Sequence, residues 1–131
     1  MEFKMNENGF HSDYAFGTLT ISSNDEHGFR PFALMVSSIV GCSGGIMRTV
    51  LNKMRINFED MVIHADVRRN PDVANRIEEI NLKFTIIGKD IPEKKIARAL
   101  EISRNNCGMI QSVQDSIIIN ETFEIKANVQ S

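Results

Sequence analysis

The length, composition and charge of this chain exclude several classes of protein. At 131 residues it has the size of one domain, and we expect residues 1–131 to form it. Its 15 basic and 17 acidic residues give a net charge of −2, without any basic run. We therefore expect no nucleic-acid partner and no membrane partner.

Residues 1–30 are polar and acidic, which differs from the composition of a secretory signal. We therefore expect a cytoplasmic protein. In such a reducing compartment its two cysteines, Cys42 and Cys107, are either inert core residues or redox-active thiols. The three histidines lack the spacing of metal ligands, so we expect no metal and no other cofactor.

The beginning of the chain predicts a small β unit. Residues 2–5 are typical of a short strand, residues 6–9 of a turn, and residues 14–22 alternate well enough for a second strand. A loop containing Gly28 then leads to Pro31.

The stretch from Pro31 to Met47 has no charged residue and predicts a buried helix. Pro31 suits the first turn of a helix, and the apolar residues that follow it recur at helical spacing, so the helix should run to about Met54. The charge-free run is short for a membrane span and contains serines and glycines, which favours a helix of a soluble protein. Cys42 lies in the middle of this helix.

Three glycines surround Cys42 in the predicted helix. Gly41, Gly44 and Gly45 each cost roughly 1 kcal/mol relative to alanine inside a helix. We interpret them as making room for another backbone beside Cys42, namely the segment that carries Cys107 or, at Gly44 and Gly45, the helix of a partner subunit.

The second half of the chain predicts two antiparallel strands, two helices and a last strand. Residues 61–68 and 80–87 alternate as half-buried strands do, and Pro92 opens an amphipathic helix. The residues expected to face inward on that helix are Ile96, Ala99, Leu100 and Ser103. A further helix starts at Cys107, with an asparagine available as its N-cap. The last strand carries Glu121, which is either a partly buried carboxylate or an edge residue, and the final residues should fray.

The local position of each cysteine favours a different reactivity. Cys107 begins a helix, where unpaired N–H groups and the helix dipole should lower the pKa of its thiol. Cys42 lies mid-helix and lacks this help, so it needs a nearby cation or hydrogen-bond donors to be reactive. Ser38 lies one turn before it on the same face.

Several motifs in this chain resemble those of the OsmC/Ohr family. Pro31, VGCSG at residues 40–44 and LNKMR at residues 51–55 are similar to the central helix of that family. Asn106 and Cys107 are similar to its second cysteine motif. The resemblance implies an α+β, OsmC-like fold. It has N-terminal β strands, a long central helix with the first cysteine, and C-terminal strands with a second cysteine-bearing helix, in an intertwined homodimer.

The resemblance also implies a thiol peroxidase that reduces organic hydroperoxides in oxidative stress defence. Cys42 matches the cysteine that attacks the peroxide and Cys107 the cysteine that resolves its sulfenic acid as a disulfide, which an external dithiol then reduces. The helix dipole thus favours Cys107 as the reactive thiol, whereas the resemblance favours Cys42. We follow the resemblance, because thiolate fraction alone does not determine reactivity with peroxides.

The chain departs from the family at two positions. Peroxidases of the family carry a glutamate within two residues after the proline, where this chain has Phe32 and Ala33, and an arginine in the N-terminal strands. The first arginine here is Arg30. The candidates to support the thiolate are Ser38 and Arg30. The candidates to line the substrate pocket are Phe32, Met35 and Met109.

Two other functions fit the same residues. One is a non-catalytic binder of a small apolar or acyl ligand at the dimer interface, with inert thiols. The other is a thiol redox sensor whose disulfide changes the binding of a partner.

Overall fold

The computed structural model describes residues 1–127, which divide into two compact units, Met1–Ser37 and the part that begins at Ser38. The elements are β1 (Lys4–Met5), β2 (Phe10–Asp13), β3 (Thr18–Ile21), α1 (Pro31–Lys53), β4 (Asp60–Asn70), β5 (Arg76–Ile87), α2 (Glu93–Asn106), α3 (Gly108–Val113) and β6 (Ile118–Lys126). Two sheets and three helices confirm the α+β class. A single domain over residues 1–131 stays a prediction, and the fraying of the final residues falls outside the described part.

The first unit contains an antiparallel sheet in the order β1-β2-β3. The predicted strand over residues 14–22 is wrong in its first part, because Tyr14 and Gly17 close a turn with hydrogen bonds in both directions, of 3.0 and 3.1 Å. Phe16 in this turn is fully exposed. The part of the prediction that rested on Leu19 and Ile21 is confirmed, since both lie in β3.

Helix α1 confirms the predicted helix of the central stretch, but only 22% of its 18-residue apolar window is buried within the chain. Its buried residues recur every four positions and form one core-facing stripe: Ile39, Ser43, Met47 and Leu51. By length and composition alone α1 could cross a membrane, since it has 23 residues and an 18-residue window with a mean hydropathy of 1.5. A core helix of a soluble protein passes the same test, so this finding carries little weight.

The second unit is built on a sheet in the order β4-β5-β6. Strands β4 and β5 pair antiparallel, as predicted, whereas β5 and β6 pair parallel with Leu82 opposite Glu121 and Phe84 opposite Phe123. The parallel pairing requires a crossover, which α2 and α3 provide. Strand β5 is central, and its fully buried side chains include Ile80, Leu82, Phe84 and Ile86.

Helices α2 and α3 meet at Cys107. The four residues expected to face inward on α2 are all buried, which confirms that prediction. The predicted asparagine N-cap of α3 is wrong, because Cys107 itself occupies the N-cap in an extended conformation (φ −84°, ψ 104°). The Asn106 amide instead donates to the carbonyl oxygen of Ile102 at 2.8 Å, one turn back in α2.

The glycines of α1 do not meet the backbone of the Cys107 segment, whereas an approach of the partner's helix stays a prediction. A Cβ atom at Gly44 would lie 2.8 Å from Cδ1 of Ile63, a side-chain atom of β4. Cβ atoms at Gly41 and Gly45 would meet no atom of the described residues within 4 Å. The interpretation that these glycines make room for the Cys107 segment is therefore wrong.

Candidate active site: a pair of neighbouring thiols

The structure brings Cys42 and Cys107 together in the second unit. Cys42 is half-buried in α1, whereas Cys107 is completely buried between α2 and α3. Both are free thiols, and the Cys107 side chain lies next to that of Cys42, whose pKa it lowers. Cys42, the more exposed of the two cysteines, thus has the second thiol as its direct neighbour.

The start of α3 donates hydrogen bonds to Cys42. The backbone N–H of Met109, the thiol of Cys107 and the backbone N–H of Gly108 lower the pKa of Cys42, and burial opposes them only in part. The first N–H groups of a helix have no partner within the helix and are free to bind an anion. They therefore favour the thiolate of Cys42.

The pKa of Cys107 moves in the opposite direction. Burial raises the pKa of Cys107, a backbone hydrogen bond from Ile110 opposes this, and the neighbouring Cys42 raises it further. The expectation that its helix makes Cys107 the more acidic thiol is therefore wrong. The N–H groups at the start of α3 favour the thiolate of Cys42. The resemblance also implies that Cys42 is the attacking thiol, and that role stays a prediction.

A buried carboxylate lies next to this site. The side chain of Glu121 is 4% exposed, and its two oxygens have different partners: Oε2 accepts the Ser43 hydroxyl at 3.2 Å, and Oε1 lies 3.4 Å from the Arg104 guanidinium. Burial raises the pKa of Glu121, and the hydrogen bond from Ser43 and the charge of Arg104 oppose it. Ser43 directly follows Cys42 in α1.

Two other predicted site residues lie in the same unit. Met109 contributes its backbone N–H to Cys42, and its side chain is 40% exposed. Ser38 lies one turn before Cys42 and is exposed, and its role as a thiolate support stays a prediction.

The remaining candidates lie in the first unit. The Arg30 guanidinium lies over the Phe32 ring, 4.8 Å from its centre. Both residues line a cavity of about 540 Å³ with Phe29, Thr18 and Thr20. Met35, on α1, is exposed. Their proposed roles at the thiols stay predictions.

Sequence reasoning missed the backbone donors and the complete network of Glu121. The start of α3 was correctly placed near Cys107, but the partner of its free N–H groups depends on a contact with α1 that no local pattern reveals. Glu121 had a visible signal, because it is a charged residue on the apolar face of β6, between Ile119 and Phe123.

These observations define an α+β protein with a paired-thiol site. The family model described as OsmC-like protein matches residues 23–122, which include both cysteines. The chain belongs to the OsmC-like protein family, as its motifs predicted.

Individual relatives and solved structures are similar to this chain. Protein YhfA of Escherichia coli K12 is 24% identical over 98 residues, which cover 74% of this chain and 73% of the relative. A hypothetical protein from Aquifex aeolicus VF5 superimposes with a TM-score of 0.87 at 27% identity and covers 98% of this chain and 96% of its own. The organic hydroperoxide resistance protein OsmC from Legionella pneumophila shares the fold, with a TM-score of 0.68 at 15% identity over 98% of this chain and 94% of its own.

Proposed function

We propose that this protein is a thiol-dependent peroxidase that reduces organic hydroperoxides, with Cys42 as the attacking thiol and Cys107 as the resolving thiol. One observation carries the proposal. The half-buried Cys42 lies beside the thiol of Cys107 and the backbone N–H groups of Met109 and Gly108, which lower its pKa, and this supports both a reactive thiolate and its resolution. The family adds support, since the Legionella relative is named for organic hydroperoxide resistance.

The first step oxidises Cys42 by two electrons. Its thiolate bonds to the terminal oxygen of the hydroperoxide, the O–O bond breaks, and the alkoxide leaves and takes up a proton to become an alcohol. Cys42 is then a sulfenic acid. The exposed Met109 side chain offers an apolar contact for the organic part of the substrate.

The second step forms the disulfide. The sulfur of Cys107 attacks the sulfenic sulfur of Cys42, and the hydroxyl leaves as water with the proton of the Cys107 thiol. An external dithiol then reduces the disulfide and is itself oxidised. Because Cys107 is completely buried, large oxidants should reach Cys42 first.

We further propose that the protein acts as a homodimer in the cytoplasm. Most exposed large apolar side chains of the described residues lie in Met1–Ser37, among them Met5, Phe16 and Phe29. Only 22% of the apolar window of α1 is buried within the chain. Apolar surface of this extent favours association with a second copy. The cytoplasm supplies the reducing conditions that keep both thiols free.

Consumption of cumene hydroperoxide in the presence of dithiothreitol tests the proposal. The wild type should turn over, and Cys42→Ser should be inactive. In a separate reaction without dithiothreitol, Cys107→Ser should consume one equivalent and stop with a sulfenic acid at Cys42 that dimedone labels. Hydrogen peroxide in place of cumene hydroperoxide is the control for preference towards organic substrates.

Other outcomes would replace the proposal. Dimedone labelling of Cys107 with Cys42 unmodified would reverse the roles of the two thiols. Oxidation of Cys42 without turnover by the dithiol would favour a redox sensor. A Cys42 that does not react with cumene hydroperoxide would favour a binder of apolar ligands.

A further inference from the structure

Glu121 occupies a position where an apolar residue would be less costly. It lies on the core face of β6 opposite Leu82 of β5, with a side chain that is 4% exposed. A buried carboxylate loses its hydration, and one ion pair with a hydroxyl contact does not fully replace it. Replacing a whole buried ion pair by apolar side chains is often neutral or stabilising. The presence of the pair of Glu121 and Arg104 therefore points to a role other than stability.

The contacts of Glu121 link the two segments that carry the thiols. Through Oε2 it binds Ser43, which is completely buried and directly follows Cys42. Through Oε1 it binds Arg104 in the last turn of α2, whose guanidinium also donates to the carbonyl oxygen of Ile119 at 2.8 Å.

Arg104 extends the link to the second thiol through its main chain. Its carbonyl oxygen accepts the N–H of Cys107 at 3.3 Å and the side-chain amide of Gln111 at 3.3 Å. The side chain of Arg104 thus binds β6, while its backbone holds the junction between α2 and α3.

We propose that Ser43, Glu121 and Arg104 form a positioning network that fixes the Cys42 turn of α1 against the junction that carries Cys107. The Ser43 hydroxyl fixes the rotation of α1 about its axis, and this rotation determines the direction of the Cys42 side chain on the same turn. The Arg104 carbonyl fixes the junction. Neither Glu121 nor Arg104 reacts itself. This inference rests on the proposed function, in which the two thiols must meet.

Exchange with an aromatic disulfide, 5,5′-dithiobis(2-nitrobenzoate), tests the network without any hydroperoxide. The Cys42 thiolate displaces one aromatic thiolate and forms a mixed disulfide. Cys107 then attacks the Cys42 sulfur, loses its proton to solvent and displaces the second aromatic thiolate, so that two coloured products are released in sequence. The rate of the second release measures how well the thiols are aligned.

The expected results follow from the contacts of Glu121. Glu121→Leu should be less stable, because Ser43 and Arg104 lose their partner, and in the folded protein it should slow the second release by about tenfold or more, because small misplacements of reacting groups have large effects on rate. Glu121→Gln keeps an acceptor for Ser43 and should restore most of the rate. Glu124→Gln is the matched control on the opposite face of β6, and its rate should equal that of the wild type.

If the second aromatic thiolate is released from Glu121→Leu at the wild-type rate, the positioning role is overturned, whether or not the variant is less stable. If that variant does not fold, Ser43→Ala decides by the same measurement, with slower release expected and an unchanged rate contradicting the proposal. A wild type that exchanges as expected but is not oxidised by cumene hydroperoxide would refute the peroxidase and leave the network in place.

Discussion

The effect of a hydrogen-bond donor at position 107 on the pKa of Cys42 can be measured with two variants of Cys107. Cys107→Ser keeps a donor beside Cys42, whereas Cys107→Ala removes it. Each variant retains a single thiol, because the chain has only two cysteines. The ultraviolet absorbance of the thiolate then reports the titration of Cys42 alone.

The size of the effect follows from the contacts. A hydrogen bond to an ionised group contributes roughly 1.5–3 kcal/mol, but Cys42 is only half-buried, so we expect about 1 kcal/mol from the serine hydroxyl relative to alanine. This corresponds to a thiolate-to-thiol ratio about fivefold lower in Cys107→Ala than in Cys107→Ser. The pKa of Cys42 should stay below that of an ordinary thiol in both, because the N–H groups of Met109 and Gly108 remain.

Alkylation by iodoacetamide provides a second measurement. Since only the thiolate reacts, the rate at a pH below the pKa of Cys42 should be about fivefold lower in Cys107→Ala than in Cys107→Ser. Equal rates in the two variants would show that the thiol of Cys107 does not stabilise the thiolate. A Cys42 pKa above that of an ordinary thiol in both variants would refute the contribution of α3 as well.

Three further predictions concern stability and assembly. Because burial raises the pKa of Glu121, the folded state holds a proton between the ordinary glutamate pKa and the raised one, whereas the unfolded state has released it. The free energy of unfolding, measured by urea denaturation, should therefore fall as pH rises through this range. Glu121→Gln should remove this dependence on pH. Gly44→Leu should destabilise the protein by roughly 1–3 kcal/mol, because the leucine side chain would overlap Ile63. Ile63→Ala in the same chain should recover part of this loss. An unchanged denaturation midpoint in Gly44→Leu would contradict this packing. Light scattering should give twice the chain mass of 14.8 kDa, and deletion of residues 1–21 should cause aggregation; a stable folded monomer would refute the homodimer.

The long periodic segments of this protein were predictable from the sequence. Helix α1 was placed to within one residue at its end, and every residue expected to face inward on α2 is buried. Amphipathic patterns of this length leave few alternatives, because burial of one face determines both the element and its orientation. The short strands of the first unit are different. A strand of four residues such as β2 has too few positions to establish a period, so the turn at Tyr14–Gly17 was missed.

The pairing of the thiols was predicted through the family motifs, whereas their electrostatics was not. The start of α3 was located correctly, but its N–H groups were assigned to Cys107, which begins the helix, and not to Cys42, which faces them. Only the tertiary contact between α1 and α3 distinguishes these cases. The role of Glu121 was ambiguous for the same reason, since a charged residue in the last strand is buried or exposed according to what covers it.

The groups that make Cys42 acidic are distant from it in the chain. The donors of α3 follow β4, β5 and α2, so the ribosome produces Cys42 well before Gly108 and Met109. Domains fold as units during synthesis, and contacts between distant segments form only when both are present. Until then the thiol of Cys42 has an ordinary pKa and is mostly protonated near neutral pH. A nascent chain should therefore react slowly with oxidants, and the lowered pKa of Cys42 should arise only after the polypeptide has been completed through α3.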